Sequence, residues 1–192
     1  VRAHAKSLGW RLEVVDAGEF DDAEYVANPH NRCYFCKKNL YQRIAENTTM
    51  QVLSGANKDD LGDYRPGLDA ARERQVRHPY VEVGAGKVEV RALAATLGLS
   101  DVQDLPAMPC LSSRVESGIA INVMDLGFIN DVEERLRHEP GAETVRCRIV
   151  RDGVRIELDA DALAVVSSAQ CSAVRESIHE LCASSGRVFA GF

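Results

Sequence analysis

Cys33 and Cys36, in Cys33-Tyr34-Phe35-Cys36, are the residues of this 192-residue chain whose type and spacing most directly suggest chemistry. At a helix start, thiols three positions apart share a face, and the free N–H groups of the first turn favour the thiolate. Such a pair can be a redox dithiol, half of a zinc site or half of an iron–sulfur site. One further cysteine stands in an irregular, proline-flanked stretch: Cys110 in Ala107-Met108-Pro109-Cys110-Leu111-Ser112-Ser113-Arg114. A [4Fe–4S] cluster accepts three thiolates and leaves one iron open, whereas a structural zinc site wants a fourth ligand, here His30 or His78. Two unrelated buried groups are the plain alternative. Cys147, Cys171 and Cys182 lie in apolar periodic segments without a close cysteine neighbour, and read as small buried hydrophobes.

Charged residues form a second set. Asn57, Asp59 and Asp60 follow a short apolar run, where they can meet a nucleotide or Mg²⁺ or merely form a solvated acidic turn. Arg65, before Pro66-Gly67, suits a phosphate or carboxylate clamp or a surface turn. Arg114, four residues past Cys110, suits neutralising a substrate phosphate or a thiolate. Arg146 and Arg148 flank Cys147 at the two-residue period of a strand, so both guanidiniums share a face and repel unless an anion such as phosphate bridges them. Solubility of an exposed strand face is the alternative. Lys87 and Arg91 read as a solvated helix face, His4, His138 and His179 as surface residues, and Tyr34, Phe35 and Tyr41 as packing.

The elements that must position these groups follow from periodicity and breakers. Residues 1–9 read as the end of a helix stopped by Gly9, so further sequence is expected upstream of Val1. Trp10–Asp16 alternates like a strand, and Gln51–Gly55 is a short strand ending at a ligand-type loop, 56–67. Helices are expected at about 33–46, 68–76 and 86–97. This order suits a parallel α/β sheet. After an irregular stretch, 100–121, come a helix at about 123–138, a hairpin of 144–150 and 154–158 turning at Arg151-Asp152-Gly153, a helix at about 160–181 with a possible break, and a last strand, 187–192. The expected division is an α/β domain over 1–108 and a smaller α+β domain over 109–192.

Composition narrows the class. Net charge is −6, which gives no general pull toward nucleic acid or membrane. No apolar run is long enough to span a bilayer, no secretory signal is visible, and six cysteines in a chain of this size read as reduced thiols in a cytoplasmic protein.

Taken in order, Asn31-Arg32-Cys33-Tyr34-Phe35-Cys36-Lys37-Lys38, Gly55-Ala56-Asn57-Lys58-Asp59-Asp60, Asp63-Tyr64-Arg65-Pro66-Gly67 and Pro109-Cys110-Leu111-Ser112-Ser113-Arg114 closely resemble the LarE family, over essentially the whole chain. Those proteins are PP-loop ATP pyrophosphatases, with a Rossmann-like parallel sheet, that thiolate a pyridinium dicarboxylate mononucleotide, a precursor of the nickel-pincer nucleotide. The resemblance implies adenylation of a substrate carboxylate by ATP and displacement of AMP by a sulfur nucleophile. The phosphate-cradling PP-loop is absent from this chain and is expected upstream, so the chain as it stands should bind ATP poorly. In some members one cysteine, matching Cys110, gives up its sulfur and becomes dehydroalanine. In others a CxxC pair, matching Cys33 and Cys36, joins it to hold a [4Fe–4S] cluster; with all three thiols, this chain resembles the cluster type. The resemblance also implies phosphate contacts at Arg146 and Arg148, a divalent metal near Glu134 and Glu157, ATP with Mg²⁺, and a homo-oligomer. Another PP-loop activity, tRNA thiolation or an amidotransferase-type synthetase, is the rival among enzymes, although net acidity argues against a tRNA partner. An iron–sulfur or zinc binding module is the rival outside enzymes.

Overall fold

The computed structural model describes residues 1–105, 108–138, 141–167 and 172–192. In chain order the elements are α1 (Arg2–Ser7), α2 (Ala23–Val26), α3 (Arg32–Asn47), α4 (Gly67–Glu73), α5 (Pro79–Glu82), α6 (Lys87–Thr96), α7 (Ser100–Gln103), α8 (Val123–His138), β1 (Val145–Val150), β2 (Gly153–Leu158), α9 (Ala160–Ser167), α10 (Ser172–Ser184) and β3 (Phe189–Gly191). Short 3-10 turns cover Glu19–Asp21, Lys58–Gly62 and Leu111–Arg114. None of the described helices is long and apolar enough to cross a membrane. The chain forms two compact units: Val1–Asp22 with Asn31–Gln103, and Ala23–His30 with Asp104–Phe192.

The first unit is mainly helical. α3 packs on α4 around Tyr41, Ala71 and Val76, with Ile44 and Val52 against them. The two helices approach closely because residue 67 is glycine: a Cβ there would lie 2.9 Å from Lys37 Cγ and 3.4 Å from the Cys33 carbonyl oxygen. Tyr34 is held in packing, as expected, by an edge-to-face contact with Phe35 and by donating to the Glu73 carboxylate. The structure departs from expectation in the strands. Trp10–Asp16 is not a strand, and Trp10, Leu12, Val14 and Val15 are exposed. Alternation supplies a face, but a strand also needs a neighbouring backbone to complete its ladder. Among the described residues of this unit the one such pairing is an isolated parallel bridge, Leu53 to Arg77, with Arg77 N–H donating to Val52 and Ser54 N–H to Arg77. The mixed α/β class stands; a parallel sheet over 1–108 is not formed among these residues.

The second unit is built on a three-stranded sheet in the order β1-β2-β3, with β1 and β2 antiparallel and β2 and β3 parallel. Along β1, Val145, Cys147 and Ile149 are buried, while Arg146, Arg148 and Val150 alternate with them on the half-exposed face. α8 covers the buried face with Ile129, Val132 and Leu136, all fully buried. The hairpin turns through Arg151-Asp152 alone. Gly153, expected in the turn, is the first residue of β2, where a Cβ would fall 2.2 Å from the Val188 carbonyl oxygen. Glycine is therefore required for the close approach of the chain entering β3. Where a helix with a break was expected over about 160–181 stand α9 and α10, and Cys171 lies outside the described residues.

Residues 23–30, expected in the N-terminal domain, pack with this second unit. Asn28, fully buried with φ +52°, donates its side-chain amide to the carbonyls of Glu116 and Ile119 at 2.9 Å, and more distantly to Val115. Its own carbonyl accepts from Gly118 N–H, and Tyr25 OH meets Ser112 Oγ at 2.7 Å.

Candidate functional site

Each unit carries its own cavity. In the first, a cavity of about 620 Å³ is lined by Cys33, Lys37, Ser54, Asp60, Tyr64 and Arg65 among others. Cys33 and Lys37 stand four residues apart on α3, so one helix face presents a thiol and an ammonium together. The loop opposite is self-supporting. Asn57 Oδ1 accepts from Asp59 N–H, and Asp60 returns a carboxylate to Asn57 N–H, closing a capping box on Lys58–Gly62. Asp59 reaches on to Lys87 N–H at 2.7 Å and so caps α6. Arg65 pairs with Asp60 at 2.9 Å and with Asp63 at 3.3 Å. All four loop residues singled out from sequence thus hold one another in place, with Asp60 and Arg65 facing the cavity. His78, a candidate zinc ligand, is tied by Nδ1 to Ser54 Oγ at 2.6 Å.

In the second unit, Cys110 opens a cavity of about 630 Å³ lined also by Arg114, Glu133, Arg137, Glu143 and Arg146. Cys110 is the N-cap of the Leu111–Arg114 turn, and its carbonyl accepts from Ser113 N–H and Ser113 Oγ. Arg114 is 6% exposed and fully engaged: Nε and Nη2 fork onto Glu133, and Nη1 donates to the Pro109 carbonyl and Ser113 Oγ, both at 3.1 Å. Glu133, 1% exposed, also accepts from Arg137 at 2.7 Å and from Cys147 N–H at 3.0 Å. Arg146 makes no hydrogen bond or ion pair among the described residues, which leaves its guanidinium available at this cavity. Arg148, on the same strand face, pairs instead with Glu157. With Arg155, directly across the hairpin, it lines a separate cavity of about 420 Å³ that Ser113 and Ser117 also border. The hydrogen bond from Arg148 holds the Glu157 carboxyl below its usual range, helped by the charges of Arg146 and Arg155.

Cys33 and Cys110 are exposed, Cys36 is half-buried, and none of the three is in a disulfide. Cys33 and Cys36 belong to the first unit and Cys110 to the second. Among the described residues, no group of three or more His, Cys, Asp or Glu side chains is arranged to hold a metal ion. Glu134 is exposed on α8, and Glu157 is committed to Arg148. Cys147 and Cys182 are buried, and burial, with the nearby Glu133 charge, pushes the Cys147 thiol up to about 12. Sequence reasoning missed Glu133, Arg137, Lys37 and Arg155. Glu133 left a signal: it falls within the stripe Ile129, Val132, Leu136, where a carboxylate must be buried and therefore partnered.

No family model matches the chain. It is 42% identical to an uncharacterised protein of Synechocystis sp. over 82% of its own length and 59% of that protein's. It is 34% identical to pyridinium-3,5-bisthiocarboxylic acid mononucleotide synthase of Lactiplantibacillus plantarum over 80% of its length and 56% of the synthase's. An uncharacterised protein of Methanocaldococcus jannaschii is 28% identical over 85% of this chain and 63% of its own. The chain thus spans less than two thirds of each of these relatives.

Proposed function

On the premise that four-fifths of this chain is similar to pyridinium-3,5-bisthiocarboxylic acid mononucleotide synthase, we propose that the protein is a LarE-type sulfur transferase, acting on the carboxylates of a pyridinium dicarboxylate mononucleotide. The observation that carries this reading is an exposed thiol, Cys110, at a cavity lined by three arginines and two glutamates. A cationic lining attracts an anionic, carboxylate-bearing nucleotide, and a thiol is the group that delivers sulfur.

A carboxylate is a poor electrophile, so ATP with Mg²⁺ first adenylates it, releasing pyrophosphate. A sulfur nucleophile then attacks the acyl carbon, the bond to the phosphate oxygen breaks, and AMP leaves. Asn57, Asp59, Asp60 and Arg65 serve the ATP side; Arg146 meets the substrate phosphate at the Cys110 cavity, and Arg148, also assigned to that phosphate, must first release Glu157. Glu134 and Glu157 are assigned to a divalent cation, which at Glu157 competes with Arg148. Cys33, Cys36 and Cys110, all uncrosslinked, are a chemically suitable donor set for a [4Fe–4S] cluster, which when bound supplies the transferable sulfur. The enzyme works in the cytoplasm, as a homo-oligomer, without nucleic acid.

A second reading draws on Cys110 having its own cationic cavity within one unit. Here the Cys110 thiolate itself attacks the adenylate and AMP leaves. Loss of the Cys110 Cα proton with cleavage of its Cβ–S bond then leaves dehydroalanine and the thiocarboxylate. Iron content after anaerobic purification, compared with Cys33→Ala, separates the two. Iron lost in the variant supports the cluster. An iron-free protein whose Cys110 peptide is lighter by one H₂S after a single transfer, and which then transfers no more, supports sacrifice.

A further inference from the structure

The sequence offers Arg114 as a bare positive charge beside Cys110, but its burial and bonding describe a different task. Its Nε and Nη2 donate to the two Glu133 carboxylate oxygens, at 2.9 Å and 3.3 Å, while its third nitrogen holds the carbonyl immediately preceding Cys110. The Cys110 carbonyl is held from the other side by Ser113, whose hydroxyl also accepts from Arg114. Glu133 in turn is anchored to the edge of β1 through Cys147 N–H, and to its own helix through Arg137. The peptide bonds on both sides of the thiol are therefore tied, through one buried guanidinium and one buried carboxylate, to α8 and the sheet.

We infer that Glu133 and Arg114 are positioning residues, which hold the Cys110 thiol at the mouth of the arginine-lined cavity. This rests on the reading of Cys110 as the sulfur-handling residue. A buried ion pair is weak as a source of net stability. What this one provides is a planar, bidentate clamp, a geometry that a lysine ammonium cannot reproduce. Arg114→Lys keeps the charge and removes the fork, so it distinguishes positioning from simple electrostatic stabilisation.

The test compares alkylation of Cys110 by iodoacetate and by neutral iodoacetamide, mapped by peptide mass, with Cys33 of the other unit as internal reference. A thiol held against the cationic lining reacts preferentially with the anionic reagent. In Arg114→Lys, folded by circular dichroism, that preference falls about threefold or more, the scale of one surface charge pair. Ser113→Ala, a half-buried and structurally mild change, shifts it the same way by a smaller factor. In sulfur transfer the lysine variant lowers kcat roughly tenfold while KM stays near the wild-type value, the pattern of a misplaced nucleophile. Unchanged reagent preference in both variants overturns the inference. If instead Cys110→Ala transfers sulfur normally, it is the sulfur-handling assignment that falls, and the alkylation result stands apart from it.

Discussion

Replacing Glu133 with glutamine should destabilise the second unit severely, although the side chain keeps its size. The carboxylate takes four hydrogen bonds, two from Arg114 and one each from Arg137 and Cys147 N–H, at 1% exposure. Glutamine offers one oxygen, and its NH₂ group faces donors. Arg114, at 6% exposure, is left a buried cation without its counter-charge. Breaking one side of a buried pair costs about 3–5 kcal/mol. For a unit of this size about 1 kcal/mol moves the melting temperature by roughly 4–8 °C, so a fall of at least about 12 °C is expected by calorimetry. Removing both charges is a different perturbation. Glu133→Leu with Arg114→Met leaves no buried unpaired ion, because Arg137 is 40% exposed, and should recover part of the loss, since apolar replacement of a buried pair is often near neutral while the Cys147 N–H still loses its acceptor. A single variant melting within about 3 °C of wild type, or a double variant no better than the single, would refute the reasoning.

Three further outcomes follow. In the folded protein at pH 8, Cys33 and Cys110 should alkylate readily while Cys147 and Cys182 do not. An unfolded thiol ionises near 9 and the folded Cys147 near 12, so the stability that Cys147 contributes is full below pH 9 and declines as pH rises toward 12. Cys147→Ala should flatten that alkaline decline in equilibrium unfolding. Arg155→Ala should weaken inorganic phosphate binding by roughly tenfold, the loss of one charge-assisted contact, because Arg148 and Arg155 face each other across the hairpin with Glu157 already paired to Arg148. Chemical-shift titration reads this directly, and equal affinity in variant and wild type would show that Arg155 takes no part in phosphate binding.

Much of this protein is local and therefore legible in its sequence. Helical periodicity with its stops placed α3, α6 and α8 to within a residue or two, and two-residue alternation placed β1 and β2 with Arg146 and Arg148 on one face. The burial of Cys147 followed from that same alternation. Other features depend on residues far apart in the chain. Trp10–Asp16 has the pattern of a strand, yet pairing needs a neighbour that pattern alone cannot supply. Asn28 joins the second unit through carbonyls some ninety positions away. Arg146 and Arg148 look equivalent, yet only the tertiary structure gives one to the Cys110 cavity and the other to Glu157. Glu133 and Glu134 are neighbours of identical type; one turns inward to four donors and the other to solvent, because the helix phase against the sheet decides which carboxylate is buried. Residue types and short-range spacing thus determined which groups are available for chemistry. Long-range packing decided which charges are already neutralised inside the fold and which remain free to meet a ligand.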